Sequence, residues 1–514
     1  MTNSQEFDEQ EFDESEDFES LVGDSVTLDE SGLTLNLGLM AGEEKDTTPN
    51  TSVSEDDRRA YAALEAELSQ RGLDTDPNPT LERLTMAMDV LGAPHEAFTA
   101  IQIAGTNGKT STARMVDSLL RAFHRRVGLF VSPHMQHLTE SIIIDGQEIS
   151  IPEFLRIHEE ISPYLAMVDQ HFVALGQEPM TRFEVLVTLA YAAFADAPVE
   201  IAVIEAGMGG TWDATNVTTA EIAAVTPIAS DHRAMLGETL AEIAGHKAGI
   251  IKSRQERDEF AEPAENIAII AKQSPEALQP LLARAVEVGA GVARQGIEFD
   301  VATSAVAVGG QVLTLRGLSG TYNDIFLPLS GEHQAFNASV ALAVVEAFFG
   351  AHSDKQLDAA AVRTGFAQVK VPGRLERFGA DPVIFVDSAH NPHGMESLAK
   401  AIERDFNFTS LVGVVGVLAD KDAAEMLRQL EPVLSHIVVT EPASPRALPA
   451  DELAKMAYDI FGDERVYVSS DLLDALDQAI VIVEEAEEDG QGIVVTGSIV
   501  TAGQARAMLA TRAE

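Results

Sequence analysis

Lys109 follows Gly105 and Gly108 in the run Ile101-Gln-Ile-Ala-Gly-Thr-Asn-Gly-Lys-Thr-Ser-Thr112 and precedes two hydroxyls, a combination suited to holding phosphate. An apolar strand turning through glycine into a helix aims the N–H groups of Gly105, Thr106, Asn107 and Gly108 at one spot, where the helix dipole adds positive charge. Lys109 can reach terminal phosphates, and Thr110 or Ser111 can touch Mg²⁺. The spacing is shorter than a standard Walker loop, because Ile103 stands where the first glycine of G-x-x-x-x-G-K-[ST] belongs. Further along, Glu205 closes the apolar strand Ile201–Ile204, where a carboxylate is costly unless paired or coordinated. Asp231-His232 sits at another strand end, making His232 a candidate ligand. Lys247, taken alone, reads as a solvated helix lysine.

The elements that must position these residues alternate strand and helix from about Arg58 onward. Strands are expected at Ile101–Ala104, Val127–Val131, Ile201–Glu205 and Ala223–Pro227, with a helix at Phe183–Ala195. Such alternation implies a mostly parallel sheet covered on both faces, with ligands at the carboxyl ends of its strands. A second α/β unit begins after Pro372-Gly-Arg374, with strands at Val383–Asp387, Leu411–Val417, His436–Thr440 and Gly492–Gly497. The last of these has no clear helical stretch after it. Polar residues again cluster past strand ends, so a cleft between the two units is the expected active site. The fold class is therefore α/β: a P-loop-type, mostly parallel ATPase domain over 58–370 and a smaller Rossmann-like C-terminal domain over 371–514.

At 514 residues the chain exceeds the size of one core, and it is 46% hydrophobic without a cysteine. No apolar run is long enough to span a bilayer and no signal peptide is evident, so a cytoplasmic protein without disulfides is expected. A net charge of −47 argues against a nucleic-acid partner. Much of that charge lies between Glu6 and Asp57, which reads as a disordered acidic tail over 1–57, apart from brief apolar pieces at Leu21-Val22 and Leu33–Leu39. Phe7, Phe12 and Phe18 recur among its acids without naming a partner.

Read in order, Ala104–Ser111, Ser132-Pro-His134, Glu205–Gly210, Asp213–Val217, Asp231-His232, Lys247–Lys252, Gly331–Gln334 with Asn337, Pro372–Glu376 and Asp387–Pro392 resemble the Mur ligase superfamily, and within it the folylpolyglutamate synthase/dihydrofolate synthase family. The resemblance covers about Arg58 to the C-terminus. It implies phosphorylation of a substrate carboxylate by ATP, followed by attack of the L-glutamate amine on the acyl phosphate. Two Mg²⁺ sites are implied, one at Thr110, Ser132 and Glu205 and one at Glu205, His232 and Lys247, the last carried as a carbamate; K⁺ is left open as a further cation. Lys109 and Arg374 would clamp phosphates, and Asn337 and Asp387 would face the base and ribose. Thr181, Phe183 and Asp213 resemble pterin-holding positions, which favours acceptance of both dihydropteroate and folates. His390, Ser444 and Arg446 look placed for the incoming glutamate. A monomer is expected.

Three residues depart from the family pattern. Ser141 and Thr211 stand where arginine is usual, and His246 replaces the glutamate that commonly precedes the lysine matched by Lys247. Neither Ser nor Thr can grip a carboxylate as Arg does, so the hold on the folate or its glutamate tail should be weaker or reorganised, and the sequence offers no compensating residue. Two alternatives stay open: another Mur-type amino-acid ligase, and a catalytically weakened nucleotide-binding homologue acting through the acidic tail. At Phe183 a core aromatic opening a helix is an equal reading.

Overall fold

The structure, a computed structural model, describes residues 26–29, 32–35, 53–72, 80–253, 266–379, 382–485 and 490–513. The chain divides into two units, Met1–Ser52 and Val53–Glu514. In the first, β1 (Val26–Asp29) pairs antiparallel with β2 (Gly32–Leu35), inside the stretch read as tail. The remainder of that stretch up to residue 52, including Phe7, Phe12 and Phe18, lies outside the described residues.

The second unit begins earlier than expected, with a helix at Glu55–Ser69. Ser54 accepts from the Asp57 N–H at 3.0 Å while Asp57 accepts from the Ser54 N–H, also at 3.0 Å, a reciprocal cap that satisfies otherwise orphaned donors. The acids Glu55, Asp56 and Asp57 therefore serve the positive end of a helix rather than extending a tail.

Eight strands form the larger sheet: β3 (Thr99–Ala104), β4 (Val127–Phe130), β5 (Ile142–Ile144), β6 (Gln147–Glu148), β7 (Ile201–Glu205), β8 (Ile222–Val225), β9 (Ile267–Ile270) and β10 (Gly291–Arg294), in the order β10-β9-β8-β3-β7-β4-β5-β6. All pairings are parallel except those of β5 and β6. The central strands are apolar on both faces because helices cover both. On one side lie Lys109–Ala122 and the almost wholly buried Glu332–Phe348; Arg182–Asp196 covers the other, its Phe194 against Gly128. The chain leaves β3 toward β4 and later returns to β8 on the other flank of β3, so the loops after β3, β7 and β8 open together at one edge.

Between the two parallel sheets in sequence stands a three-stranded antiparallel one, β11 (Asp300–Ala307), β12 (Gly310–Arg316) and β13 (Thr321–Leu327), which the α/β rhythm did not predict. The C-terminal sheet comprises β14 (Glu376–Phe378), β15 (Val383–Val386), β16 (Ser410–Val415), β17 (His436–Val439), β18 (Val466–Val468) and β19 (Gln491–Thr496), ordered β14-β15-β19-β16-β17-β18 and parallel except for the edge strand β14. A helix at Ile499–Ala513 follows β19 after all; Ser498 accepts from the Thr501 N–H at 3.0 Å and small Ala502 and Ala505 face the sheet, which leaves little apolar periodicity to read. No helix among the described residues is long and apolar enough to cross a membrane.

Candidate active site

The phosphate cradle is shaped by backbone approach. Gly105 has φ +148° and a Cβ there would collide with the Thr226 side chain just past β8; Gly108 has φ +86° and lies against Asn337, whose Oδ1 would be 2.5 Å from an added Cβ. Neither position admits a side chain without strain. The helix Lys109–Ala122 begins immediately, and Lys109 Nζ donates to the Thr106 carbonyl at 3.2 Å, curled over its own loop.

Glu205, 1% exposed, ends β7 beside that loop. It accepts from Thr110 Oγ1 at 2.9 Å and from the Ser132 N–H at 3.4 Å, which brings Thr110, Ser132 and Glu205 together. Burial raises its carboxyl above the ordinary range, opposed by the charge of Lys109, the Thr110 and Ser132 hydrogen bonds and the charge of Arg374. Hydroxyl and carboxylate oxygens in one desolvated corner fit a hard divalent cation such as Mg²⁺.

Lys247, 4% exposed, donates to the Gly105 carbonyl at 2.6 Å. Burial, then the charge of Lys109, lowers its ammonium to about 7 against the opposing pull of Asp231 and Asp213. As an ammonium it is no metal donor, but a free amine is accessible near neutrality, as carbamate formation requires. His232 adopts φ +49° after β8, and its imidazole falls to about 4 through burial by the surrounding lobes and the charges of Lys421, Lys109 and Lys247, opposed by Asp231. Its ring is therefore neutral at neutral pH, with a lone pair available although its side chain is 40% exposed. Among the described residues no group of three or more His, Asp or Glu is arranged to hold a metal, so hydroxyls and Lys247 would have to complete any second set.

Asp231 joins the two lobes. Its Oδ1 accepts from Lys421 Nζ at 2.6 Å and from the His232 N–H at 2.9 Å, its Oδ2 accepts from Asn391 Nδ2 at 3.2 Å, and His390 Nε2 lies 3.7 Å away. Burial works against the charge, yet contact with His390, the adjoining His232 and the ammonium of Lys421 hold the carboxyl well below its usual range. Asn391 and Asn107 exchange amide hydrogen bonds at 3.0 and 3.1 Å, and Asn107 Nδ2 also meets His393 Nδ1 at 2.7 Å. The phosphate loop thus touches the C-terminal lobe directly.

Arg374 is aimed at this cleft by Asp387, whose oxygens accept from the N–H groups of Leu375 and Ala389, each at 2.9 Å. The guanidinium donates to Gly373 O at 2.9 Å and Ser388 Oγ at 2.5 Å, and its charge reaches Glu205. Asp387, 8% exposed and raised by burial, is thereby occupied with backbone donors. The expected pterin set divides. Thr181 caps its helix with Glu184, accepting from the Glu184 N–H at 3.2 Å, and Asp213 is consumed by Met208 N at 2.7 Å and Thr215 N at 3.0 Å. Phe183 keeps a half-buried ring whose Cζ lies 2.6 Å from where a Gly207 Cβ would sit. Ser444 accepts from its own neighbour Arg446 N at 3.2 Å, and exposed Arg446 pairs with Asp420 at 2.6 Å, linked onward to Lys421. Ser141 is buried with its hydroxyl unpartnered, while Thr211 N–H and Oγ1 donate to His246 O at 2.9 and 3.1 Å and Trp212 Nε1 donates to His246 Nδ1 at 3.2 Å.

Sequence reasoning gave Lys421, Asn391 and His393 no role of their own in this cluster, although Asn391 lies inside the Asp387–Pro392 motif and all three follow strand ends of the second lobe.

Comparison with known proteins gives two family models, the Mur ligase middle domain over residues 103–345 and the Mur ligase glutamate ligase domain over 373–499. A dihydrofolate synthase/folylpolyglutamate synthase of Mycobacterium tuberculosis is 48% identical over 465 residues, 88% of this chain and 94% of that protein. Crystal structures of the M. tuberculosis folylpolyglutamate synthase with ADP and AMPPCP match with TM-score 0.83 and 49% identity, covering 88% of this chain and 99% of theirs. Escherichia coli FolC in complex with DHPP and ADP matches with TM-score 0.73 and 28% identity over 88% of this chain and 98% of its own.

Proposed function

Because the chain belongs to the dihydrofolate synthase/folylpolyglutamate synthase family of Mur ligases, we propose that its cleft joins L-glutamate both to dihydropteroate and to reduced folates. The chain is an ATP-dependent ligase that adds glutamate to folates. The observation that carries the reading is the convergence of Lys109, Thr110, Glu205 and Lys247 on one loop whose asparagine is bonded to the second lobe.

A carboxylate resists amines because its leaving group would be oxide, so the γ-phosphoryl of ATP must first be transferred to it. That step brings two anions together, and Lys109 and Arg374 supply fixed positive charge where it develops. Thr110, Ser132 and Glu205 would hold one Mg²⁺, and Glu205, His232 and carbamylated Lys247 a second; Mg²⁺ held there would offset phosphate charge. Asn337 borders the loop for the base, while Asp387 acts by fixing Arg374. His390, beside Asp231 in the second lobe, is suited to the incoming glutamate, with Ser444 and Arg446 at the outer rim. Phe183 offers an aromatic face to the pterin or the aminobenzoyl ring, and Thr181 and Asp213 support it from behind. The ATP-binding region is taken as 58–370 and the glutamate-ligase region as 371–514, working as a cytoplasmic monomer without a nucleic-acid partner.

Phosphate release with ATP, Mg²⁺ and L-glutamate, comparing dihydropteroate, tetrahydrofolate and no acceptor, tests this. Activity with both acceptors is expected. Tetrahydrofolate alone would restrict the enzyme to chain extension, and silence with both would favour the weakened homologue that Ser141, Thr211 and His246 suggest.

A further inference from the structure

Arg182 carries a charge with no acid beside it in a chain with 82 acidic and 35 basic residues. Several arginines of its lobe are paired with acids, Arg71 with Asp169 at 3.0 Å, Arg83 with Glu184 at 2.9 Å and Arg121 with Asp117 at 3.0 Å, while Arg316 and Arg363 donate to backbone carbonyls. Among the described residues Arg182 has no carboxylate within ion-pair distance; its Nη2 donates instead to His134 Nε2 at 3.2 Å. Its backbone is pinned by the Arg182 N–H to Gly72 O bond of 3.4 Å. A carboxylate partner would cancel the charge, whereas an imidazole acceptor orients the guanidinium and leaves its charge and other donors free.

The position matters as much as the missing counter-ion. His134 stands two residues after Ser132, whose N–H bonds Glu205, and Phe183, next to Arg182, packs on Gly207, two residues after Glu205. Arg182 therefore ties together the two segments, Ser132–His134 and Thr181–Phe183, that flank the strand end carrying Glu205. Resting on the acceptor reading above, we propose that Arg182, oriented by His134, receives the α-carboxylate of a glutamyl residue already on the acceptor, the contact that Ser141 and Thr211 cannot make. A planar fork of N–H donors matches a carboxylate.

The acceptors separate this role from a structural one. Dihydropteroate carries one carboxylate, the reacting one; a folate carries an α-carboxylate besides. Arg182→Gln should raise KM for tetrahydrofolate by about 10- to 100-fold, the effect of one lost charged hydrogen bond, and leave kcat and the KM for dihydropteroate within about twofold, while Arg182→Lys recovers part of the loss. Calorimetry without ATP gives an independent readout: wild type should bind folic acid more tightly than pteroic acid, and Arg182→Gln should lose that preference. Equal losses with both acceptors, or no change with either, overturn the proposal. If wild type ligates glutamate to neither acceptor, the acceptor reading fails instead, and the folate-over-pteroate binding preference still decides the role of Arg182.

Discussion

Removing Lys421 should loosen the two lobes by a predictable amount. Its ammonium lies 2.6 Å from Asp231 Oδ1, with the side chains 8% and 9% exposed, so Lys421→Met leaves a carboxylate out of water without its cation. Breaking a buried pair from one side costs about 3–5 kcal/mol. Asp231 keeps the Asn391 amide at 3.2 Å and the His232 N–H at 2.9 Å, so its charge is not left wholly unpartnered and the loss should fall at the low end of that range, about 3 kcal/mol. Asp231→Asn should cost less, because a buried ammonium can still donate to the amide oxygen, and the double variant should lie closer to wild type than the sum of the two. Urea unfolding of all four proteins, in metal chelator and without nucleotide, gives the coupling energy, expected at about 1.5 kcal/mol or more. Coupling below about 0.5 kcal/mol would refute the reasoning, since it would mean that the lobes are not held by this pair.

Other expectations follow from single groups. Glu205→Gln removes a charge that burial already disfavours, so thermal stability should hold or rise slightly while glutamate ligation falls by at least about 100-fold; a stability loss above about 2 kcal/mol would contradict this. Lys252, lowered to about 8 by burial and by Arg284, donates to the carbonyls of Asn216 and Thr218 at 2.5 and 2.6 Å. Its protonated form is penalised fully below pH 8 and the penalty is relieved as pH rises toward 10.5, so the stability of wild type relative to Lys252→Met should improve by about 2 kcal/mol from pH 7 to 10; a flat difference across that range would count against the assignment. With Lys247 near 7, activity lost on CO₂ depletion should return on adding bicarbonate faster at pH 8 than at pH 6, and mass spectrometry or kinetics finding no bicarbonate response would exclude the carbamate.

The sheets were legible because buried parallel strands are short apolar runs: Ile201–Glu205 was bounded to the residue and β3, β8 and β15 to within two. The cradle was equally plain, since its glycines, lysine and hydroxyls are contiguous. What escaped was of two kinds. Local chemistry with two uses was harder to read: acids at 55–57 cap a helix, and Thr181 and Asp213, expected at the pterin, also accept from backbone donors. Contacts between distant positions left no trace, as with Asp231 and Lys421, 190 residues apart, or Asn107 and Asn391, 284 apart. Arg182 stands between Thr181 and Phe183, both singled out in the sequence, but only the folded chain reveals that its neighbour is an imidazole rather than an acid.

The chain's single tryptophan is Trp212, and its indole N–H is bonded to His246, adjacent to Lys247. Light absorbed at the red edge of the protein band is therefore emitted from one ring, on the loop beside the phosphate cradle. No label is needed to follow that corner: any ligand that shifts the loop against Leu240–Lys247 changes the polarity and quenching around one fluorophore, and stopped-flow emission can time nucleotide arrival separately from the second lobe, which carries no tryptophan to confuse the signal.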